Sequence, residues 1–228
     1  MNSDFVFILD FDGTLVDTNE VKLRVFELIF PEIPPHEIRK TVHKTSGNRF
    51  DIINKLDMLV QSQTMIFNLS DRVKLYNDIS TSVVNKAIEV KGATDFLKMC
   101  LEKKIDLHIS SATPQFVIAD LITQRGWSDY FKGIHGSPEL KISHIGQIKK
   151  ATYSKDSQGD LKKKFIYFGD TKTDFEAAII SDIKFFGMFI DGIIPEWANK
   201  IGFAHNYIDI FEKLDAYRRN ENIDSATN

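Results

Sequence analysis

The sequence predicts an α/β fold in which a doubly wound parallel sheet carries a second, all-helical domain. Short apolar runs of strand length recur along the chain, and segments with helical periodicity separate them. One long stretch after the first apolar run contains helical patterns alone, which indicates an inserted domain. With 43% hydrophobic residues and 18 phenylalanines, the chain can fill the core that such a fold requires.

Four apolar runs are predicted to be strands buried on both faces of the sheet. Continuous apolar runs are typical of parallel strands that helices cover on both sides, whereas half-exposed strands alternate. The four runs are residues 5–10 (FVFILD), 105–110 (IDLHIS), 165–168 (FIYF) and 185–190 (FFGMFI).

Eight helices are predicted from apolar spacing and from proline punctuation. Four of them alternate with the strands, at residues 94–103, 114–125, 141–153 and 174–181. The other four follow one another without a strand, at residues 21–30, 36–43, 50–60 and 71–88. We therefore expect a Rossmann-like core formed by residues 1–16 and 90–228, with a helical cap domain at residues 17–89.

The composition narrows the range of partners and compartments. The formal net charge of −3 argues against a nucleic-acid or membrane-surface partner, since both favour a clustered basic excess. The single cysteine, Cys100, cannot form an internal disulfide and lies in an apolar helical pattern. Without a signal-like N-terminus or an apolar run of bilayer length, the protein is expected to be cytoplasmic.

Polar side chains follow three of the predicted strands at the point where each strand ends. They are Asp10 and Asp12, then Ser110 and Ser111, then Asp170 with Asp174 four residues later. Ligands of open parallel sheets bind at the carboxyl ends of the strands. Converging carboxylates repel one another and favour a divalent cation, and oxygen ligands without a His or Cys cluster favour Mg²⁺ over Zn²⁺.

Four motifs in order resemble those of the haloacid dehalogenase-like superfamily. The segment Asp10-Phe-Asp-Gly-Thr is similar to the first motif, and Ser110-Ser111-Ala-Thr-Pro to the second. Lys141, after Gly-Ser-Pro-Glu-Leu, is similar to the lysine of the third, and Gly-Asp170-Thr-Lys-Thr-Asp174 to the fourth. The resemblance covers the chain except for the insert and the tail.

The resemblance implies a nucleophile, an acid/base and a metal site. It makes Asp10 the nucleophile that forms an aspartyl-phosphate, and Asp12 the general acid/base. Mg²⁺ is the implied cofactor, held by Asp10, Asp170 and the backbone carbonyl of Asp12, with Asp174 either binding the ion or orienting its waters. Asp170 and Asp174 would also suit a helix N-terminus, and both roles can coexist.

Phosphate binding is assigned by the same resemblance to Ser111, to the backbone of Ala112 and to Lys141. Ser110 competes with Ser111 for the motif position, and Ser111 also suits a helix cap. Lys149 and Lys150 are the alternatives to Lys141. The histidines show no metal-ligand spacing, so structural roles are expected for them.

The position of the insert resembles the helical cap of phosphoglycolate phosphatases and β-phosphoglucomutases. Within it, the segment Lys44-Thr-Ser-Gly47-Asn-Arg49 is similar to a cap loop that contacts substrate, which makes Lys44, Gly47 and Arg49 candidates for substrate binding. Surface charge on a helix connection is the alternative for these residues. Ala112 stands where many phosphatases of this group carry Asn, which weakens an assignment to phosphoglycolate.

The sequence thus predicts a magnesium-dependent phosphatase that hydrolyses a small phosphate monoester, either a sugar phosphate or a phosphoglycolate-like acid. Asp12 fits phosphatases and phosphomutases, so a β-phosphoglucomutase type of mutase is the first alternative. A catalytically silent binding or regulatory member is the second, and the complete set of Asp10, Asp12, Lys141 and Asp170 argues against it. The expected partner is a small phosphorylated metabolite, and the sequence leaves the oligomeric state unknown.

Overall fold

A computed structural model describes residues 4–45, 49–60, 66–154, 163–208, 210 and 213. The chain divides into two compact units, a core unit of Met1–Val16 with Glu89–Asn228 and a helical unit of Asp17–Ile88. Glu89, which the sequence places in the insert, belongs to the core unit, where it forms a bridge with Val16. None of the helices in the described ranges is long and apolar enough to cross a membrane.

The core unit contains a parallel sheet, which confirms the predicted fold class. Its strands are β1 (Phe5–Leu9), β2 (Asp106–Pro114), β3 (Gly133–Ser137), β4 (Lys164–Gly169), β5 (Lys184–Met188) and β6 (Gly202–Ala204). Their order in the sheet is β3-β2-β1-β4-β5-β6, and every pairing is parallel. Strand β1 is central, and its residues from Val6 to Leu9 are fully buried, which explains the continuous apolar run.

The helical unit consists of α1 (Asn19–Ile29), α2 (Pro35–Lys44), α3 (Arg49–Asp57) and α4 (Leu69–Lys86). Pro35 occupies the first turn of α2, where its missing N–H costs no hydrogen bond. Asn68 caps α4 by accepting a hydrogen bond from the N–H of Asp71 at 2.9 Å. The unit has its own apolar core, in which the rings of Phe26 and Tyr76 lie 4.8 Å apart.

Four helices accompany the sheet, namely α5 (Ala93–Glu102), α6 (Gln115–Gln124), α7 (Lys141–Tyr153) and α8 (Lys172–Ile180). They and the four helices of the other unit confirm the eight predicted helices, with small shifts at their ends. Pro114 lies just before α6 rather than inside it, because β2 continues through residues 111–114.

Two strands were not predicted, and the reason lies in their composition. Strand β3 has the sequence GIHGS, which lacks an apolar run, and β6 is an edge strand of three residues. Both are defined by pairing with a neighbour, since β3 pairs with β2 and β6 with β5. The prediction for residues 185–190 was too long, because β5 ends at Met188.

Candidate active site

The carboxylate of Asp10 lies at the end of the central strand, where the backbone fixes its position. The N–H of Asp10 donates to the carbonyl of Phe168 on β4 at 2.8 Å. Its Oδ1 accepts a hydrogen bond from the N–H of Phe11, also at 2.8 Å. The residue is only 5% exposed. Strand pairing and a local hydrogen bond therefore hold a buried carboxylate in one orientation.

Asp10, Asp170 and Asp174 form a carboxylate cluster, in which each offers an oxygen within 4.8 Å of the others. Lys141 reaches the same place from the first turn of α7, with its Nζ 3.0 Å from Asp10 Oδ2 and in contact with Asp174 Oδ1. Three carboxylates beside one ammonium leave an excess of negative charge. A hard divalent cation with oxygen ligands fits this donor set.

Burial and the neighbouring charges shift the pKa values of Asp10 and Lys141. Burial raises the pKa of Asp10 from 3.8 to about 7, and Lys141 opposes this rise while Asp174 and Asp12 add to it. For Lys141, burial favours the neutral amine, but the nearby Asp10 and Asp174 carboxylates outweigh it and raise its pKa well above the ordinary value. The lysine is thus a fixed positive charge, whereas Asp10 is incompletely compensated.

Asp174 has a second role at the start of α8. Its Oδ2 accepts hydrogen bonds from both the N–H and the hydroxyl of Thr171, while Asp174's own N–H donates to the Thr171 hydroxyl. This reciprocal arrangement is a capping box. A side chain at Gly169 would not fit, because its Cβ would lie 2.6 Å from Asp174 Cβ. Helix capping and membership of the carboxylate cluster therefore coexist in Asp174.

Asp12 is held by a residue that the sequence analysis did not single out. The hydroxyl of Thr113 donates to Asp12 Oδ2 at 3.0 Å. Among the described residues, the carboxylate cluster consists of Asp10, Asp170 and Asp174, and the side chain of Asp12 is not a member. The only signal for Thr113 in the sequence is its place in the second motif, and the partner lies 101 positions away.

The two serines in the middle of β2 have different partners. Ser110 is fully buried, and its Oγ lies 3.0 Å from Nδ1 of His144. Ser111 Oγ accepts a hydrogen bond from the N–H of Thr113 at 3.1 Å, so its hydroxyl hydrogen is not used in that bond. The neighbouring Ala112 is exposed. The core network thus engages Ser110, while Ser111 bonds to Thr113 within the last part of β2, which leads into α6.

The lysine alternatives lie elsewhere on α7. Lys149 donates to the carbonyl of Ser181 at 2.9 Å, and Lys150 is exposed. Lys141 alone of these three contacts the carboxylate cluster.

The substrate-binding candidates of the insert belong to the helical unit. Lys44 is the last residue of α2 and is exposed. Arg49 is the first residue of α3, is half-buried, and has its guanidinium carbon 5.2 Å from the centre of the Phe50 ring. Gly47 lies outside the described residues.

Residues 7–188 match the family model described as "Haloacid dehalogenase-like hydrolase". No curated protein sequence matches the chain. The match extends from the central strand to β5 and includes the four motifs, so it covers most of the chain.

Solved structures with the same fold include three that span nearly the whole chain. A Thermotoga maritima protein provisionally named as a β-phosphoglucomutase is 16% identical, covers 96% of this chain and 99% of its own, and has a TM-score of 0.69. A protein of Lactobacillus delbrueckii subsp. bulgaricus, provisionally named as a phosphoglycolate phosphatase, is 12% identical, with coverages of 94% and 98% and a TM-score of 0.67.

The third is CbbY from Rhodobacter sphaeroides in complex with phosphate, which is 16% identical, with coverages of 88% and 93% and a TM-score of 0.64. Likeness at such identities establishes the fold, while the family rests on the model match. The chain belongs to the haloacid dehalogenase-like hydrolase family.

Proposed function

We propose that this hydrolase is a magnesium-dependent phosphatase that cleaves a small phosphate monoester through an aspartyl-phosphate on Asp10. The observation that carries the proposal is the contact of Lys141 Nζ with both Asp10 and Asp174 at the end of the central strand. It holds an anionic nucleophile beside a fixed positive charge, as attack on an anionic phosphate requires.

The oxygens of Asp10 and Asp170 would hold Mg²⁺, and Asp174 would bind the ion or orient its waters. When bound, the ion would offset the charge of the phosphate oxygens and favour the ionised form of Asp10. The fit rests on the three converging carboxylates and on the raised pKa of Asp10, because a neighbouring cation favours the carboxylate form.

In the first step, a carboxylate oxygen of Asp10 attacks phosphorus, and the bond from phosphorus to the ester oxygen breaks. Lys141 stabilises the charge on the transferred phosphoryl group, and the Ser111 hydroxyl and the Ala112 backbone bind its oxygens. Asp12, held at 3.0 Å by the Thr113 hydroxyl, gives its proton to the leaving alkoxide.

In the second step, water cleaves the acyl phosphate and restores Asp10. Asp12, now ionised, takes a proton from the attacking water, so the products are an alcohol and inorganic phosphate, with Asp10 ionised and Asp12 protonated as at the start. A phosphomutase would differ here, because a substrate hydroxyl would replace the water. The phosphatase and phosphomutase reactions therefore diverge only after the aspartyl-phosphate has formed.

We assign the helical unit the role of a cap that closes over the substrate and selects it. Lys44, Gly47 and Arg49 are proposed to contact the part of the substrate that is not transferred, where cationic side chains suit a sugar phosphate or a phosphorylated acid. The long arginine side chain suits this role, since it presents several donors to an anion.

The decisive experiment is a turnover screen against sugar phosphates, phosphoglycolate and p-nitrophenyl phosphate with Mg²⁺. Inorganic phosphate should appear in step with substrate loss, EDTA should abolish turnover, and Mg²⁺ should restore it. Full activity in EDTA would contradict the metal assignment. Accumulation of isomerised sugar phosphate with little free phosphate would establish the mutase instead.

A further inference from the structure

A buried histidine next to the phosphate-binding groups remains unassigned by the chemistry above. His144 lies one turn after Lys141 on α7 and is only 1% exposed. Sequence spacing gives it no metal-ligand partner, and the carboxylate cluster among the described residues does not include it. Its two ring nitrogens, however, each contact a different strand.

The partners of the ring fix its tautomer. Nε2 lies 3.2 Å from the carbonyl of Gly136 on β3, and a carbonyl can only accept, so Nε2 carries the hydrogen. Nδ1 is then an acceptor and receives the hydroxyl hydrogen of Ser110 at 3.0 Å. Burial, with a smaller contribution from His135, lowers the pKa of His144, which favours this neutral form.

The network continues from Ser110 to a third strand. The hydroxyl of Tyr167 on β4 donates to the carbonyl of Ser110 at 2.9 Å. The Tyr167 ring centre lies 6.0 Å from Lys141 Nζ. Ser110, whose side chain contacts His144, directly precedes Ser111, so the imidazole constrains the backbone that presents the second phosphate-binding group.

His144 supplies such an anchor near the start of α7. Leu140 precedes the helix and provides no side-chain cap, so the side chain of Leu140 does not set the orientation of the turn that carries Lys141. The bonds of His144 to β2 and β3 replace that constraint from within the same helix. A helix tied to two strands keeps the position of Lys141 relative to Asp10 constant.

We infer that His144 is a positioning residue that sets the geometry of Lys141 and Ser111 for phosphate, through bonds to Ser110 and Gly136. The inference rests on the proposed function, since it assigns those two residues to phosphate. It concerns binding of the phosphoryl group rather than proton transfer, because both ring nitrogens are engaged by protein groups.

The test uses His144→Leu, which removes both bonds, and His144→Gln, whose amide keeps one donor and one acceptor. His135→Gln is the matched control, because His135 is a neighbouring histidine whose ring centre lies 5.6 Å from that of His144. The affinities for inorganic phosphate and for Mg²⁺ are measured by calorimetry on each folded protein, together with KM and kcat for an active ester.

We expect His144→Leu to weaken phosphate binding and to raise KM about tenfold, with Mg²⁺ affinity nearly unchanged, because the lysine and the serine lose their alignment. His144→Gln should recover most of the affinity, and His135→Gln should match the wild type. Unchanged phosphate affinity in folded His144→Leu, even with a lower melting temperature, would overturn the inference. Equal loss in the Leu and Gln variants would also overturn it.

Failure of the proposed function gives a different result. If the wild type binds phosphate but hydrolyses no ester, the phosphatase assignment fails, and the affinity series still decides the role of His144. If the wild type turns over esters and His144→Leu binds phosphate normally, the phosphatase assignment stands and the positioning role fails.

Discussion

Each of the two units buries a cation between carboxylates, but the balance of charge around the two cations differs. In the core unit, Lys141 contacts Asp10 and Asp174, and burial raises the pKa of Asp10 to about 7. In the helical unit, Arg72 is fully buried and pairs with Glu32 at 2.7 Å. Although burial opposes it, hydrogen bonds from Arg72 and from a backbone N–H lower the pKa of Glu32.

The contacts of Arg72 join separate helices of the helical unit. Its guanidinium donates to the carbonyl of Ile29, pairs with Asp57 at 3.2 Å and lies 4.2 Å from the centre of the Phe30 ring. These contacts join the ends of α1 and α3 to α4. Arg72, whose partner Glu32 has a lowered pKa, is suited to a structural role. Asp10, whose negative charge is incompletely compensated, is suited to react or to bind a cation.

The largest effect should come from removing the positive charge of the core unit. Lys141→Met should lower kcat by roughly 10²- to 10³-fold, because electrostatic stabilisation of the phosphoryl group is lost. Lys149→Met on the same helix is the control, since the amine of Lys149 donates to the carbonyl of Ser181 and not to the carboxylate cluster. A similar loss in both variants would mean that α7 tolerates no change, and the special role of Lys141 would fail.

The corresponding change in the helical unit should affect stability instead. Arg72→Met leaves Glu32 and Asp57 without their buried cation, so the free energy of unfolding should fall by about 3–5 kcal/mol in urea titrations. Arg39→Met, which removes an exposed arginine paired with Glu20 and Glu27, should leave that free energy almost unchanged. Equal unfolding curves for the two variants would contradict the structural role of Arg72.

A smaller effect is expected in how the folding stability of the metal-free protein depends on pH. The pKa of Asp10 is raised from 3.8 to about 7 in the folded state. Protonation of Asp10 therefore stabilises the folded state fully below pH 3.8, and this stabilisation is lost as the pH rises through 7. Asp10→Asn lacks this titration. In EDTA, the variant should therefore gain stability relative to the wild type between about pH 5 and about pH 8.

Chemical denaturation at the two pH values measures this gain. Mg²⁺ should remove the deficit of the wild type at the higher pH, because the ion binds the ionised carboxylates of the folded state. A stability difference that is constant with pH would show that Asp10 titrates normally.

The smallest effect is expected at the proposed cap loop. Arg49→Ala should raise KM for the physiological ester about tenfold and hardly change it for p-nitrophenyl phosphate, because a lost charge-assisted hydrogen bond weakens only substrates that reach the arginine. Lys55→Ala, an exposed cation on the same helix, is the control. Equal losses on both esters would indicate that Arg49 acts on folding or on the chemistry.

Sequence patterns predict the parts of the fold that are continuous along the chain. The central strand β1 and strand β4 are recognisable because residues 5–9 and 165–168 form unbroken apolar runs. Strands β3 and β6 are not, because pairing with β2 and β5 defines them and their own residues do not.

The same distinction applies to the site. Asp10, Lys141 and Asp170 stand in motifs, so their types and order indicate their chemistry. The bonds of Thr113 to Asp12 and of His144 to Ser110 join segments far apart in sequence, and no local pattern encodes them. Motifs therefore indicate the groups that are proposed to react, while the groups that contact them need coordinates.

The most direct test of the central assignment is to trap the phosphoryl group on Asp10. The Asp12→Asn variant is mixed with p-nitrophenyl phosphate and Mg²⁺, because nitrophenolate leaves without a proton donor whereas hydrolysis of the acyl phosphate needs the base. After an acid quench, mass spectrometry should find one phosphoryl group on the peptide that contains Asp10, and none in the Asp10→Asn variant. A phosphoryl group on another residue, or near-normal turnover by Asp10→Asn, would contradict the account.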